Sequence, residues 1–126
     1  MDTDLPFGLQ LARKAWRKNP HRKRVTACYV QGGTIIIDSN SQKTNPGTKA
    51  YGHRWQKCHA EFNVLKRIED GSKGVLFIYR ETADATLGLA RPCEFCMRLL
   101  KDKGIKKIVY TTKDGYAKER LVYESI

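Results

Sequence analysis

The sequence predicts one α/β domain over residues 1–126, with helices covering both faces of a sheet. Three observations carry this reading. Amphipathic stretches of helical period alternate with short apolar runs along the chain. The longest apolar clusters, Ile35–Ile37 and Val75–Ile78, suit strands and fall far below the roughly 18 residues of a membrane-spanning helix. A chain of 126 residues, 40% hydrophobic and 29% charged, can bury one core and is too apolar for a disordered tail.

The elements follow in order. Residues 5–18 form a helix in which Leu9, Ala12 and Trp16 share a face, with Leu11 and Ala15 beside them. Asn19-Pro20 ends it. The basic run His21–Arg24 leads into a strand at Val25–Val30, and Gln31-Gly32-Gly33 turns the chain into a returning strand, Thr34–Asp38. Three consecutive isoleucines there predict a strand buried on both faces rather than an edge. Ser39–Trp55 is a polar stretch longer than the roughly 12–15 residues usual for structureless loops, which marks it as functional or mobile.

A second helix is expected over 58–69, with Phe62, Val64, Leu65 and Ile68 on its apolar side and Asp70-Gly71-Ser72 after it. Strand Val75–Tyr79 follows, then a loop over Glu81–Leu89. Residues 93–103 form a third helix with Cys96, Leu99 and Leu100 toward one side, and Gly104 terminates it. Ile105–Thr111 is a strand and Asp114-Gly115 a turn. The tail from Tyr116 fits either a last strand at Leu121–Tyr123 or a short helix over Ala117–Tyr123.

The formal net charge is +11. Residues 1–27 hold seven Lys/Arg against two acidic residues, and residues 98–126 hold eight against four, so the excess gathers near the two ends. Such a field attracts nucleotides, nucleic acids or acidic surfaces, and it also serves solubility. Met1–Leu9 lacks the basic-then-apolar layout of a secretory signal. With no membrane span to read and closely spaced thiols, the expectation is a cytoplasmic protein that does not bind membrane and whose cysteines stay reduced.

Two segments carry chemistry: His59-Ala60-Glu61 and Pro92-Cys93-Glu94-Phe95-Cys96. Imidazole and thiolate are the donors Zn²⁺ prefers, and three protein ligands leave a fourth position for water. Two cysteines separated by two residues at a helix start can reach one ion, and the amides of the helix N-terminus stabilise thiolates. Water activated by the metal needs a proton acceptor, and Glu61 lies close to His59 in sequence without being forced to ligate. Cys93 and Cys96 also fit a redox pair. Together with Cys58 and His59 they fit a closed structural zinc site, although that site gives Glu61 no role. Cys28 and Cys58 are expected as buried small residues without a ligand role.

These segments resemble the zinc-dependent cytidine/deoxycytidylate deaminase superfamily, whose signature they match, and the likeness extends over about Arg24–Thr112. Within it, Asp38–Thr44 and Ile108–Thr112 are most similar to the small phage and bacterial deoxycytidylate-deaminase-like group. The resemblance implies a cytidine deaminase-like three-layer sandwich, with a mixed sheet of about five strands and both metal-bearing helices on one side. It implies His59, Cys93 and Cys96 as zinc ligands and Glu61 as the general acid/base. The Ala60 backbone would meet the base, Asn40 would help hold base or sugar, and Pro92 would shape the entry to the cysteine helix. The implied reaction is hydrolytic deamination of a cytosine nucleotide or nucleoside, foremost dCMP to dUMP. Assembly into a homo-oligomer is a further implication.

The positive charge suits an anionic nucleotide substrate. Arg91, and more weakly Lys43, are candidates for its phosphate. Single-stranded DNA or RNA is the alternative substrate and would also need aromatic platforms, for which Tyr51, Trp55, Phe95 and Tyr116 are available. A noncatalytic zinc domain that binds nucleic acid is the third reading.

Overall fold

Five strands and two helices are laid out in a computed structural model that describes residues 5–18, 25–39, 64–68, 70–71, 73–81, 86–92 and 94–121. In chain order they are α1 (Phe7–Lys18), β1 (Thr26–Gln31), β2 (Thr34–Ser39), β3 (Val75–Tyr79), α2 (Glu94–Asp102), β4 (Lys107–Thr112) and β5 (Gly115–Arg120). The strands form one mixed sheet of order β2-β1-β3-β4-β5. β1 pairs antiparallel with β2 and with β3, β3 runs parallel to β4, and β4 and β5 form a hairpin. A parallel neighbour requires a crossover, and the β3-to-β4 connection supplies one through α2.

Alternation along the strands divides the core into two layers. Ala27, Tyr29, Leu76, Ile78, Ile108 and Tyr110 point to one face, where they meet Val64, Leu65, Ile68 and the α2 residues Cys96, Leu99 and Leu100. Cys28, Tyr79 and Val109 point to the other, where Leu9, Ala12 and Trp16 of α1 cover them. Helical segments therefore lie on both sides of the sheet, and the molecule has three layers. The α1 face is the one the sequence periodicity predicts, with Leu11 and Ala15 half-buried at its flanks. Arg17 and Lys18 in its last turn complement the negative end of the helix dipole.

α1 lies close to the sheet because Gly8 has no side chain. A Cβ there would overlap the Phe77 ring, including Cγ at its root. At the far end of the helix, Trp16 meets Tyr79 edge-on with centroids 6.1 Å apart. The buried Glu81 carboxylate accepts from the Tyr79 hydroxyl at 2.7 Å and from Arg17 Nε at 3.3 Å. A carboxylate out of water is costly unless it is paired, so this cluster fixes where α1 ends over β3.

Two expectations are corrected. β2 is an outer strand of the sheet: Ile35 is 44% exposed, and only Ile36 and Ile37 pack against buried residues, one on each face. The isoleucine run reflects a strand touching both core layers from the margin, a pattern that composition alone cannot distinguish from a central strand. The tail is not a helix from Ala117, and of the alternative strand over Leu121–Tyr123, residues 122 and 123 lie outside the described residues. β5 starts at Gly115, because a tight turn at Lys113-Asp114 returns the chain at once. Gly115 has φ 140°, and Gly32 at the β1–β2 turn has φ 58°, backbone values that favour glycine.

Candidate functional site

The parallel pair β3–β4 creates an edge at which both strands end and α2 begins. In open α/β sheets this carboxyl edge is where side chains and helix N-termini converge on ligands. The loop leading to α2 is stitched to that edge. Thr111 Oγ1 donates to the Gly88 carbonyl at 2.7 Å and accepts from the Arg80 amide at 3.1 Å. The Gly88 amide donates to the Arg80 carbonyl, and the Ala90 amide to the Thr111 carbonyl. The chain therefore reaches Arg91 and Pro92 on a braced path.

Cys96 sits in the first turn of α2, fully buried against the sheet. Its layer also holds Val64, Leu65 and Ile68, the residues that follow His59-Ala60-Glu61 in the chain. The two segments are tied at their C-terminal ends. The Gly71 amide donates to the Lys103 carbonyl at 2.6 Å, and Lys103 Nζ donates to the Ile68 carbonyl at 2.7 Å. Gly104, with φ 75°, closes α2 next to this contact, as its position after the helical pattern predicts. The described parts of the two motif-bearing segments thus share one side of the sheet.

His59, Glu61 and Cys93 lie outside the described residues, as do Asn40, Lys43, Trp55, Ala60 and Cys58. Among the described residues no cluster of three metal-ligating side chains occurs. Asn40 directly follows the last residue of β2, Ser39, in the chain. Cys96 itself offers a soft donor: a buried thiol in the first turn of a helix. Cys28 does not share this setting. It projects to the α1 face, and burial pushes its thiol up to about 11, as expected for an inert core cysteine.

Arg91 is engaged by the protein. Its Nε and Nη2 each donate to Glu119 of β5 at 3.0 Å, one to each carboxylate oxygen, and the Tyr110 hydroxyl donates to Glu119 Oε1 at 3.1 Å. Any contact between Arg91 and a phosphate would have to use the remaining side of the guanidinium. The Arg91 hydrogen bonds hold Glu119 below its ordinary value of 4.5, while burial and the same carboxylate push Tyr110 up. Glu119 was not singled out by the sequence pattern. The signal that could have marked it is its place in β5, where Ala117 and Glu119, with Leu121 just after the strand, alternate toward the α2 side while Tyr116, Lys118 and Arg120 alternate away.

No protein-family model matches the chain, and no curated protein sequence matches it. Among the described residues, no helix is long and apolar enough to cross a membrane.

Proposed function

We propose that this chain is a zinc-dependent hydrolase that deaminates a cytosine nucleotide or nucleoside, foremost dCMP to dUMP. The observation that carries the reading is Cys96: a fully buried thiol in the first turn of α2, at the carboxyl edge of β3 and β4, in the layer that also holds the continuation of His59-Ala60-Glu61. His59, Cys93 and Cys96 would hold the metal, and the proposal requires the residues before Val64 to bring His59 and Glu61 to that edge. Zinc would supply Lewis acidity that makes water nucleophilic near neutral pH.

The chain's own residues divide the remaining work. Glu61 accepts the proton of the attacking water and passes it to N3 of the ring. The water oxygen bonds to C4, and Glu61 takes its remaining proton. As the bond from C4 to nitrogen breaks, Glu61 delivers that proton to the leaving amino group, so that ammonia departs and C4 keeps a carbonyl oxygen. The Ala60 backbone and Asn40 orient the base. Lys43 and Trp55, in the polar stretch, are candidates for the phosphate and the ring face. The pairing of Arg91 with Glu119 supports a positioning role, because it anchors the residue before Pro92 at the entry to the cysteine helix.

The test is ammonia release from cytosine, deoxycytidine, dCMP, single-stranded DNA and RNA by the zinc-loaded protein and its Glu61→Gln variant. Turnover of dCMP but not of polymer is expected. Glu61→Gln should keep its zinc and lose about 10²–10⁴-fold in rate. Turnover that survives Glu61→Gln would refute the proton-carrier role, and turnover of polymer alone would replace the nucleotide reading with the polynucleotide one.

A further inference from the structure

α1 packs chiefly on β1 and β3 and only lightly on β4, so among the described residues little covers the α1 side of the β4–β5 hairpin. A groove of about 500 Å³ opens there. Its floor is apolar, formed by Val75, Phe77 and Val109, and Pro6 also lines it. Its rim is mainly cationic, and Glu119, whose carboxylate is held by Arg91, lines the groove as well. Lys107 pairs with Arg120 and Val109 with Lys118 across the hairpin, and partners in register project to the same face, so Lys107, Lys118 and Arg120 flank the groove together. All three are exposed, and among the described residues none of them makes an ion pair. The same alternation places Tyr116, 40% exposed, in line with Lys118 and Arg120.

The geometry points to a binding surface for single-stranded nucleic acid along this face. Three exposed cations match a run of phosphates, an apolar floor accepts an unstacked base, and an exposed tyrosine in the same row offers a stacking platform. Exposed Lys14 and Lys18 on α1 extend the positive field beyond the groove. A β-strand presents such groups in a straight row, which suits an extended strand better than a compact ligand. The surface lies on the opposite side of the sheet from Cys96 and does not depend on the deamination reading.

A fluorescein-labelled oligothymidylate separates the two readings, because thymine carries no exocyclic amino group to hydrolyse. Its anisotropy should report binding to the full chain that weakens linearly in log–log form with salt. Neutralising two contacts in Lys118→Gln/Arg120→Gln should reduce the magnitude of the salt slope by about 1.4. Tyr116→Ala should weaken binding by about 5- to 150-fold with the slope unchanged. Lys73→Glu, an exposed charge change outside the groove, is the control for bulk charge and should match the parent. Absence of oligothymidylate binding at low salt, or an equal loss in the Lys73 variant, would overturn the proposal. So would groove variants that instead lose binding to phosphatidylserine vesicles or polyglutamate while keeping the oligonucleotide.

Discussion

At Gly8 two effects of known size oppose each other. Alanine in place of a helical glycine favours the helix by up to about 1 kcal/mol. The added methyl would overlap Phe77 at Cγ, so the ring cannot simply swing its far end away, and overpacking of this kind costs about 1–3 kcal/mol. The clash wins, and Gly8→Ala should lower the midpoint of chemical denaturation. An unchanged or raised midpoint would mean that α1 lifts off the sheet without cost. Individual residues divide sharply in how legible they were. Leu9, Ala12 and Trp16 could be read from helical spacing, because burial follows period. The need for glycine at position 8 could not, since it arises from a residue on a distant strand. Of the residues proposed to hold a metal or carry protons, Cys96 is the one that lies among the described residues.

Among the elements, α2 is held in two ways of unequal weight. Its inner side buries Cys96, Leu99 and Leu100, and a fully buried leucine contributes about 1.5–3 kcal/mol. The Arg91–Glu119 pair just before it is half-exposed, and such pairs contribute about 0–1 kcal/mol. Packing therefore secures α2, and the ion pair sets the path of its entry. The pair still leaves a signature in pH. Glu119 is held below 4.5 when folded, so the unfolded chain binds more protons on acidification. The stability from this pair is complete above about pH 4.5 and is lost as pH falls through the folded value. Glu119→Gln should accordingly lower the melting temperature slightly at pH 7 and by less at a pH well below 4.5. An equal loss at both pH values would assign Glu119 a role in packing rather than in charge. The sequence placed α2 and its terminating glycine well, because helix period and C-terminal glycine are local signals. It misread β2 as interior and left β5 open, because sheet order depends on partners far away in the chain.

On the scale of the whole molecule, helices on both faces of a sheet follow from alternating helix and strand patterns, and the mixed sheet of about five strands that the resemblance implies agrees with the five found. What pattern alone did not supply is the order of the strands. β1 joins its hairpin mate on one side and, on the other, a strand reached only after the chain has passed β2 and the 64–68 segment: Thr26 pairs with Tyr79. The middle of the sheet is thus its most non-local seam, with one local hairpin on either flank. Joining it demands the closure of a large loop before any contact repays the lost chain entropy, which slows the search for the native state. Stopped-flow refolding should therefore be limited by this seam, on the order of milliseconds to seconds. Leu76→Ala at its centre should retard refolding, whereas Ala117→Gly in the outer hairpin should act mainly by accelerating unfolding. The reverse pattern would locate the nucleus in the C-terminal hairpin. A ribosome releasing this chain would hold an unclosed half-sheet, with the hydrophobic side of its first hairpin bare, until the third strand emerged.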